Sequence, residues 1–196
     1  IDPVLFKSGN VKIIARGKRS AKRVMDAGFP CYIAPDLSFL IEPDTVYNYE
    51  DDYKTHEEST VIKPKRVFNT HIGKYCEVMN TMADPKTDIQ IIEKQPQGDK
   101  IWEPHIDGIK QVSGTPEQNF GLVAQAEKIY VSRYQLAVAA ILAGKKPLIY
   151  KKHVPEYDEK YDDLMDYFGL TPTELRYEAL KSCRVAWDLV ESLKTD

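Results

Sequence analysis

Long apolar runs are missing from this sequence. None of its 196 residues belongs to a stretch approaching the roughly 18 consecutive apolar residues that span a bilayer, and the start lacks the basic-then-apolar order of a signal peptide. A soluble, cytoplasmic protein is expected. Charge of one sign is missing too: 27 Lys and Arg stand against 30 Asp and Glu, a formal net charge of −3. A dedicated nucleic-acid binder needs a cationic excess to displace counterions from phosphates, so that class is set aside. Cysteine is scarce. Cys31, Cys76 and Cys183 are odd in number and widely spaced, which excludes a disulfide framework and a zinc knuckle. No pair among His56, His71, His105 and His153 has metal-ligand spacing, so no metal is expected, and no internal repeat is present.

What is there is an ordinary globular balance, 42% hydrophobic and 29% charged, which suits one domain or two small lobes. The chain opens Ile1-Asp2-Pro3 without a methionine, and its first residues carry no weight in the fold argument. Val11–Ala15 reads as a buried strand, Ser20 as the cap of a helix with Ala21, Val24 and Met25 on one face, Gly28 as its stop, and Tyr32–Ala34 as a second strand closed by Pro35-Asp36. The unit is strand–helix–strand. From Glu42 to Lys65 the composition turns polar with no periodic apolar set, which marks a linker.

Alternation then resumes. Val67–Thr70, Ile89–Ile92, Ile109–Val112, Lys128–Val131 and Pro147–Tyr150 read as strands, with helices over Ile72–Met82, from Thr115-Pro116-Glu117-Gln118 onward, and over Arg133–Ala143 up to Gly144. Two helices close the chain. The first carries Tyr157, Tyr161, Leu164, Met165 and Phe168; the second opens at Thr171-Pro172-Thr173-Glu174 and carries Leu175, Ala179, Cys183, Ala186, Val190 and Leu193. The expected fold is α/β: a doubly wound, mostly parallel sheet in residues 63–153, a partial strand–helix–strand lobe with linker in residues 1–62, and terminal helices in residues 154–196 packing back across both. A small open lobe with a long amphipathic terminal helix also suits a homodimer.

Ligands of such sheets bind beyond the carboxyl ends of the strands, where helix N-termini offer free N–H groups and partial positive charge. The segment KIYVSRYQLAVAAILAGKKPLIY is the sharpest example, since a strand ends at Ser132 and a helix begins at Arg133. Two readings stand side by side. Ser132, Arg133 and the helix end suit a phosphate, pyrophosphate or carboxylate. Alternatively Ser132 and Gln135 form a capping box and Arg133 is a solvated first-turn residue.

The stretch ARGKRSAKRVMDAGFPCYIAPDLSFLI, followed by QAEKIYVSRYQLAVAAILAGKKPLI and a closing EKYDDLMDYFGL with a long helix, resembles the later part of polysaccharide pyruvyl transferases, whose members carry an additional N-terminal region. The resemblance covers roughly Val11 to Leu193. It implies a GT-B-like, glycosyltransferase-type architecture and transfer of a group from an anionic donor to a carbohydrate acceptor, with Arg16 and Arg133 matching its donor-contacting arginines. Two guanidiniums suit one phosphate or carboxylate by bidentate geometry; the other reading of Arg16 is the solvated end of a basic helix. Where the family has a histidine this chain has Gln135, which exchanges no proton near neutral pH. That departure favours a nucleotide-sugar donor over phosphoenolpyruvate, because departure of a diphosphate can rest on electrostatic stabilisation alone.

Ser132, Arg133, Gln135 and Arg16 are therefore the donor-binding candidates, and no cofactor beyond the donor is required. His71, just after a strand, is the candidate base, with a structural histidine as the commoner alternative. Trp102, Glu103 and His105, in the loop Gln95–Gly108, are candidates to hold a donor base or ribose, against the plainer reading of Trp102 as a packing anchor. A non-enzymatic lobe that keeps the scaffold as a binding or assembly module is the second class. The basic run Lys12–Arg23 reads as a solvated helix face.

Overall fold

The computed structural model describes residues 13–40, 63–70, 73–92 and 104–192. The chain gathers into two compact units, residues 1–41 with 153–196, and residues 42–152.

The first unit contains β1 (Ile13–Ala15), α1 (Lys18–Asp26), β2 (Cys31–Ile33), a 3-10 turn at Leu37–Leu40, and, from the end of the chain, α5 (Pro155–Met165) and α6 (Pro172–Ser192). β1 and β2 pair in parallel with Ile13 opposite Cys31 and Ala15 opposite Ile33, so α1 is the crossover of a βαβ unit. α1 begins at Lys18 with Gly17 at its N-cap, which corrects the assignment of Ser20 as cap: Ser20 lies inside the helix. Its buried face is narrower than the apolar spacing suggests. Ala21 is fully buried, whereas Met25 stands exposed. The basic side of α1 is not simply solvated either, because Arg19 pairs with Asp166 at 3.1 Å and Arg23 with Glu159 at 2.5 Å. α5 thus brings an acidic face to α1, with Tyr161 and Leu164 buried. α6 opens with the expected capping box, Thr171 bonding the Glu174 N–H and Glu174 returning to the Thr171 N–H at 2.7 Å; Leu175 and Ala179 are fully buried.

The second unit contains β3 (Arg66–Asn69), α2 (Gly73–Met82), β4 (Asp88–Ile91), β5 (Lys110–Val112), α3 (Pro116–Gln125), β6 (Lys128–Val131), α4 (Tyr134–Leu142) and β7 (Leu148–Ile149). All five strands are parallel in the order β5-β4-β3-β6-β7, a doubly wound, Rossmann-like sheet whose order reverses between β3 and β6. The central strands β3 and β4 are buried nearly throughout, as in a parallel sheet covered on both faces. Phe68 stacks on Tyr130 at 5.1 Å and packs with Tyr75, Cys76 and Met79 of α2 and with Ile106 and Ile109. α4 buries Leu136, Ala137, Val138, Ala140, Ile141 and Leu142, so almost its whole circumference is core. α3 begins as expected, with Thr115 capping, Pro116 in the first turn and Gln118 completing the box. At the amino ends of the central strands Arg66 and Asp88 pair at 2.8 Å, and the Asp88 side chain is buried. Among the described residues no helix is long and apolar enough to cross a membrane.

Candidate functional site

In the second unit the carboxyl ends of β3 and β6 lie side by side at the point where the strand order reverses, with Asn69 opposite Val131. A doubly wound sheet opens its ligand crevice at this point, because the helices that follow the two strands leave for opposite faces. The residues there are polar and buried against expectation for strand ends: Asn69 and Thr70 are 0% exposed and Ser132 is 1%. Each is held. The Asn69 side-chain amide donates to the Ile91 carbonyl at 3.0 Å, the Ser132 N–H donates to the Asn69 carbonyl at 2.9 Å, and the Ser132 hydroxyl donates to the Thr70 hydroxyl at 3.2 Å. The Asn69 side-chain oxygen has no hydrogen-bond partner among the described residues. An orphaned acceptor of this kind is costly unless a donor meets it.

Ser132 does not cap α4, which corrects the capping-box reading of Ser132 and Gln135. The N-cap is Arg133, in extended conformation and without a side-chain bond to the helix, and Gln135 is exposed. The Ser132 hydroxyl donates to Thr70 across the sheet. The first-turn N–H groups of α4 are therefore not taken by the cap side chain, and half-buried Arg133 stands where they end. Such an end attracts negative charge.

The strand ends of the first unit are arranged differently. Arg16, directly after β1, pairs at 2.9 Å with Asp36, three residues beyond the end of β2. Asp36 also accepts from the Ser38 N–H at 3.0 Å and the Ser38 hydroxyl at 2.7 Å, which builds an Asx turn. Burial alone would push its carboxyl up; the Ser38 bonds and the Arg16 charge outweigh burial and hold it below the usual carboxylate range. The N-terminus of α1 is filled by a side chain from α5. Asp163, 2% exposed, accepts from the Arg19 N–H at 2.8 Å, the Ser20 N–H at 3.0 Å and the Ser20 hydroxyl at 2.6 Å. Here too these bonds and the Arg19 charge outweigh burial, and the carboxyl is held low.

Of the remaining candidates, His71, Trp102 and Glu103 lie outside the described residues. His105 is exposed in the segment that returns to β5. That return is tied down by Gln90 of β4, whose side chain donates to the Pro104 carbonyl at 2.7 Å and accepts from the Ile106 N–H at 2.8 Å. Cys76 is buried, and burial with nearby Asp107 pushes its thiol up, which suits an inert packing residue. No group of three or more His, Cys, Asp or Glu residues that could hold a metal ion occurs among the described residues. The residues that sequence reasoning passed over are Asn69, Gln90 and Asp163. The first two had a signal, a polar residue in a buried apolar strand; Asp163 had none, being one of many acids in an acidic helix. No family model, no curated protein and no solved structure matches this chain.

Proposed function

We propose that the protein is a GT-B-type transferase that moves a sugar from a nucleotide-sugar donor to a carbohydrate or glycoconjugate acceptor, with the donor's phosphates at the carboxyl ends of β3 and β6. The observation that carries this reading is the meeting of buried Asn69, Thr70 and Ser132 with the N-terminus of α4 at the sheet's switch point. The similarity of the Ser132-Arg133 segment to polysaccharide pyruvyl transferases supports the same place. In this reading the first-turn N–H groups of α4 and the Arg133 guanidinium stabilise negative charge as it builds on the departing diphosphate. Gln135 orients by hydrogen bonds and transfers no proton, so the acceptor hydroxyl gives its proton to a base elsewhere, for which His71 is the candidate. Trp102, Glu103 and His105 are assigned to the donor's base or ribose.

Isothermal titration with uridine and guanosine diphosphates and with phosphoenolpyruvate tests the reading. A nucleoside diphosphate is expected to bind at or below millimolar concentration, and Arg133→Ala to weaken it at least tenfold, about 1.4 kcal/mol. Tighter binding of phosphoenolpyruvate would turn the assignment to pyruvyl transfer. Failure of both to bind would overturn it in favour of a binding module.

A further inference from the structure

The N-terminus of α1 sits at the carboxyl edge of β1 and β2, and the carboxylate that occupies it comes from α5, 144 residues further along the chain from Arg19. Two independent features show that this contact is built. Three donors converge on one carboxylate at 2.6–3.0 Å. Gly17 leaves room for it, since a β-carbon at that position would fall 2.2 Å from the Asp163 carboxyl carbon. The φ of Gly17 is −171°, ordinary extended backbone, so close approach rather than conformation calls for glycine there. Around the contact, Arg19 and Arg23 of α1 pair with Asp166 and Glu159. α5 and α6 then form one wall of a cavity of about 480 Å³ whose other wall is Gly17, Lys18, Ile33 and Pro35 at the strand ends.

We infer that α5 and α6 form a strap across the strand ends of the first unit, and that Asp163 is the latch that fastens it. The physical case is local. Exposed ion pairs such as Arg19 with Asp166 are weak and screened by salt, whereas a buried carboxylate that completes a helix N-terminus is strong and leaves its donors orphaned when lost. The cavity exists only while the strap is fastened, because its inner wall belongs to the strap. Any anion that reaches the N-terminus of α1 must displace Asp163, so binding there and closure of the strap exclude each other.

Hydrogen exchange followed by mass spectrometry on the full chain tests this. Asp163→Ala is expected to raise exchange at least tenfold in the first turn of α1 and throughout 155–192, while amides of β3, β4 and β6 keep their protection. Gly17→Ala, which pushes the carboxylate off from the opposite side, is expected to give the same pattern. In the double variant the second substitution adds nothing, the mark of two residues acting on one contact. Asp163→Asn, which keeps an acceptor, is expected to fall between Asp163→Ala and the unaltered chain. Exchange that rises evenly in both units, or unchanged exchange in 155–192 with Gly17→Ala, would overturn the latch. Should Asp163→Ala not fold, the Gly17→Ala and Asp163→Asn patterns decide alone.

Discussion

Both units of this chain are written in the same strand–helix–strand grammar, and they are held together by different forces. In the second unit β3 and β4 are flanked on both sides by other strands, and Val67, Phe68, Ile89 and Ile91 are almost completely buried. In the first, the two paired strands set Ile14 beside Tyr32 on one face, 38% and 41% exposed, and Ile33 and Leu37 are more exposed still. A parallel sheet draws its stability from cover on both faces, which two short strands and one crossover helix supply only in part. To this the first unit adds a buried polar fastening, Asp163 on the N-terminus of α1, with the more exposed pairs Arg16 with Asp36 and Arg23 with Glu159 around it. Burial of apolar surface dominates one unit. The other adds placed charge to a smaller buried set of Ala21, Phe39, Leu164, Leu175 and Ala179.

The largest expected effect tests the apolar side of that contrast. Phe68→Ala removes a fully buried ring that stacks on Tyr130 and packs on Met79, and should cost about 3–5 kcal/mol in urea denaturation. The matching change in the first unit is Phe39→Ala, a fully buried ring on Tyr167, which should cost less, about 3 kcal/mol, because a smaller buried set surrounds it. A larger cost for Phe39→Ala than for Phe68→Ala would mean that the first unit relies on apolar burial more than the second.

Acid should separate the units next. Asp36, Asp163 and Glu174 of the first unit are all held below their ordinary values, as is Asp84 in the second. A carboxyl whose folded value is depressed contributes stability that is full above its unfolded value and is lost as pH falls through the folded one. With an ordinary value of 3.8 for Asp36 and Asp163, the loss begins below about pH 4. Exchange protection in α1 and α5 should therefore fall below about pH 4 before protection in β3 and β4 does, and Asp163→Asn should flatten that dependence. Protection lost first in β3 and β4 would contradict the contrast.

The same contrast explains what could be read from the sequence. Elements punctuated by local chemistry were legible: Thr115-Pro116 and Thr171-Pro172 open helices where spacing placed them, and α1 and α4 give way to turns at Gly28 and Gly144, both at positive φ. The doubly wound sheet followed from strand and helix alternation. The polar fastenings were not legible, because they join residues far apart in the chain. Ser20 has the spacing of a cap, yet its hydroxyl serves a carboxylate 143 residues away. Ser132 likewise has the spacing of a capping box with Gln135, yet the N-cap is Arg133 and the Ser132 hydroxyl donates to Thr70 of a neighbouring strand end. Local sequence predicts which hydrogen bonds a side chain can make. Which of them it makes is decided by what the fold brings near.

The smallest expected effect compares one device used in both units. Thr115 and Thr171 each cap a helix through a reciprocal box, but the returning side chain is neutral Gln118 in the first case and ionised Glu174 in the second. Removing either threonine should cost about 1 kcal/mol at neutral pH. The two costs should then part as the solution is acidified. The Thr171 backbone N–H and hydroxyl hold Glu174 below the usual carboxylate range, so its bond is present above that range and weakens as pH falls through the folded value. Gln118 carries no charge to lose. Urea midpoints of Thr171→Ala should thus approach those of the unaltered chain between pH 7 and pH 3.5, while the gap for Thr115→Ala stays constant. Two gaps that both stay constant would show that the charge on Glu174 adds nothing to its cap, and that the first unit's reliance on placed charge stops short of its longest helix.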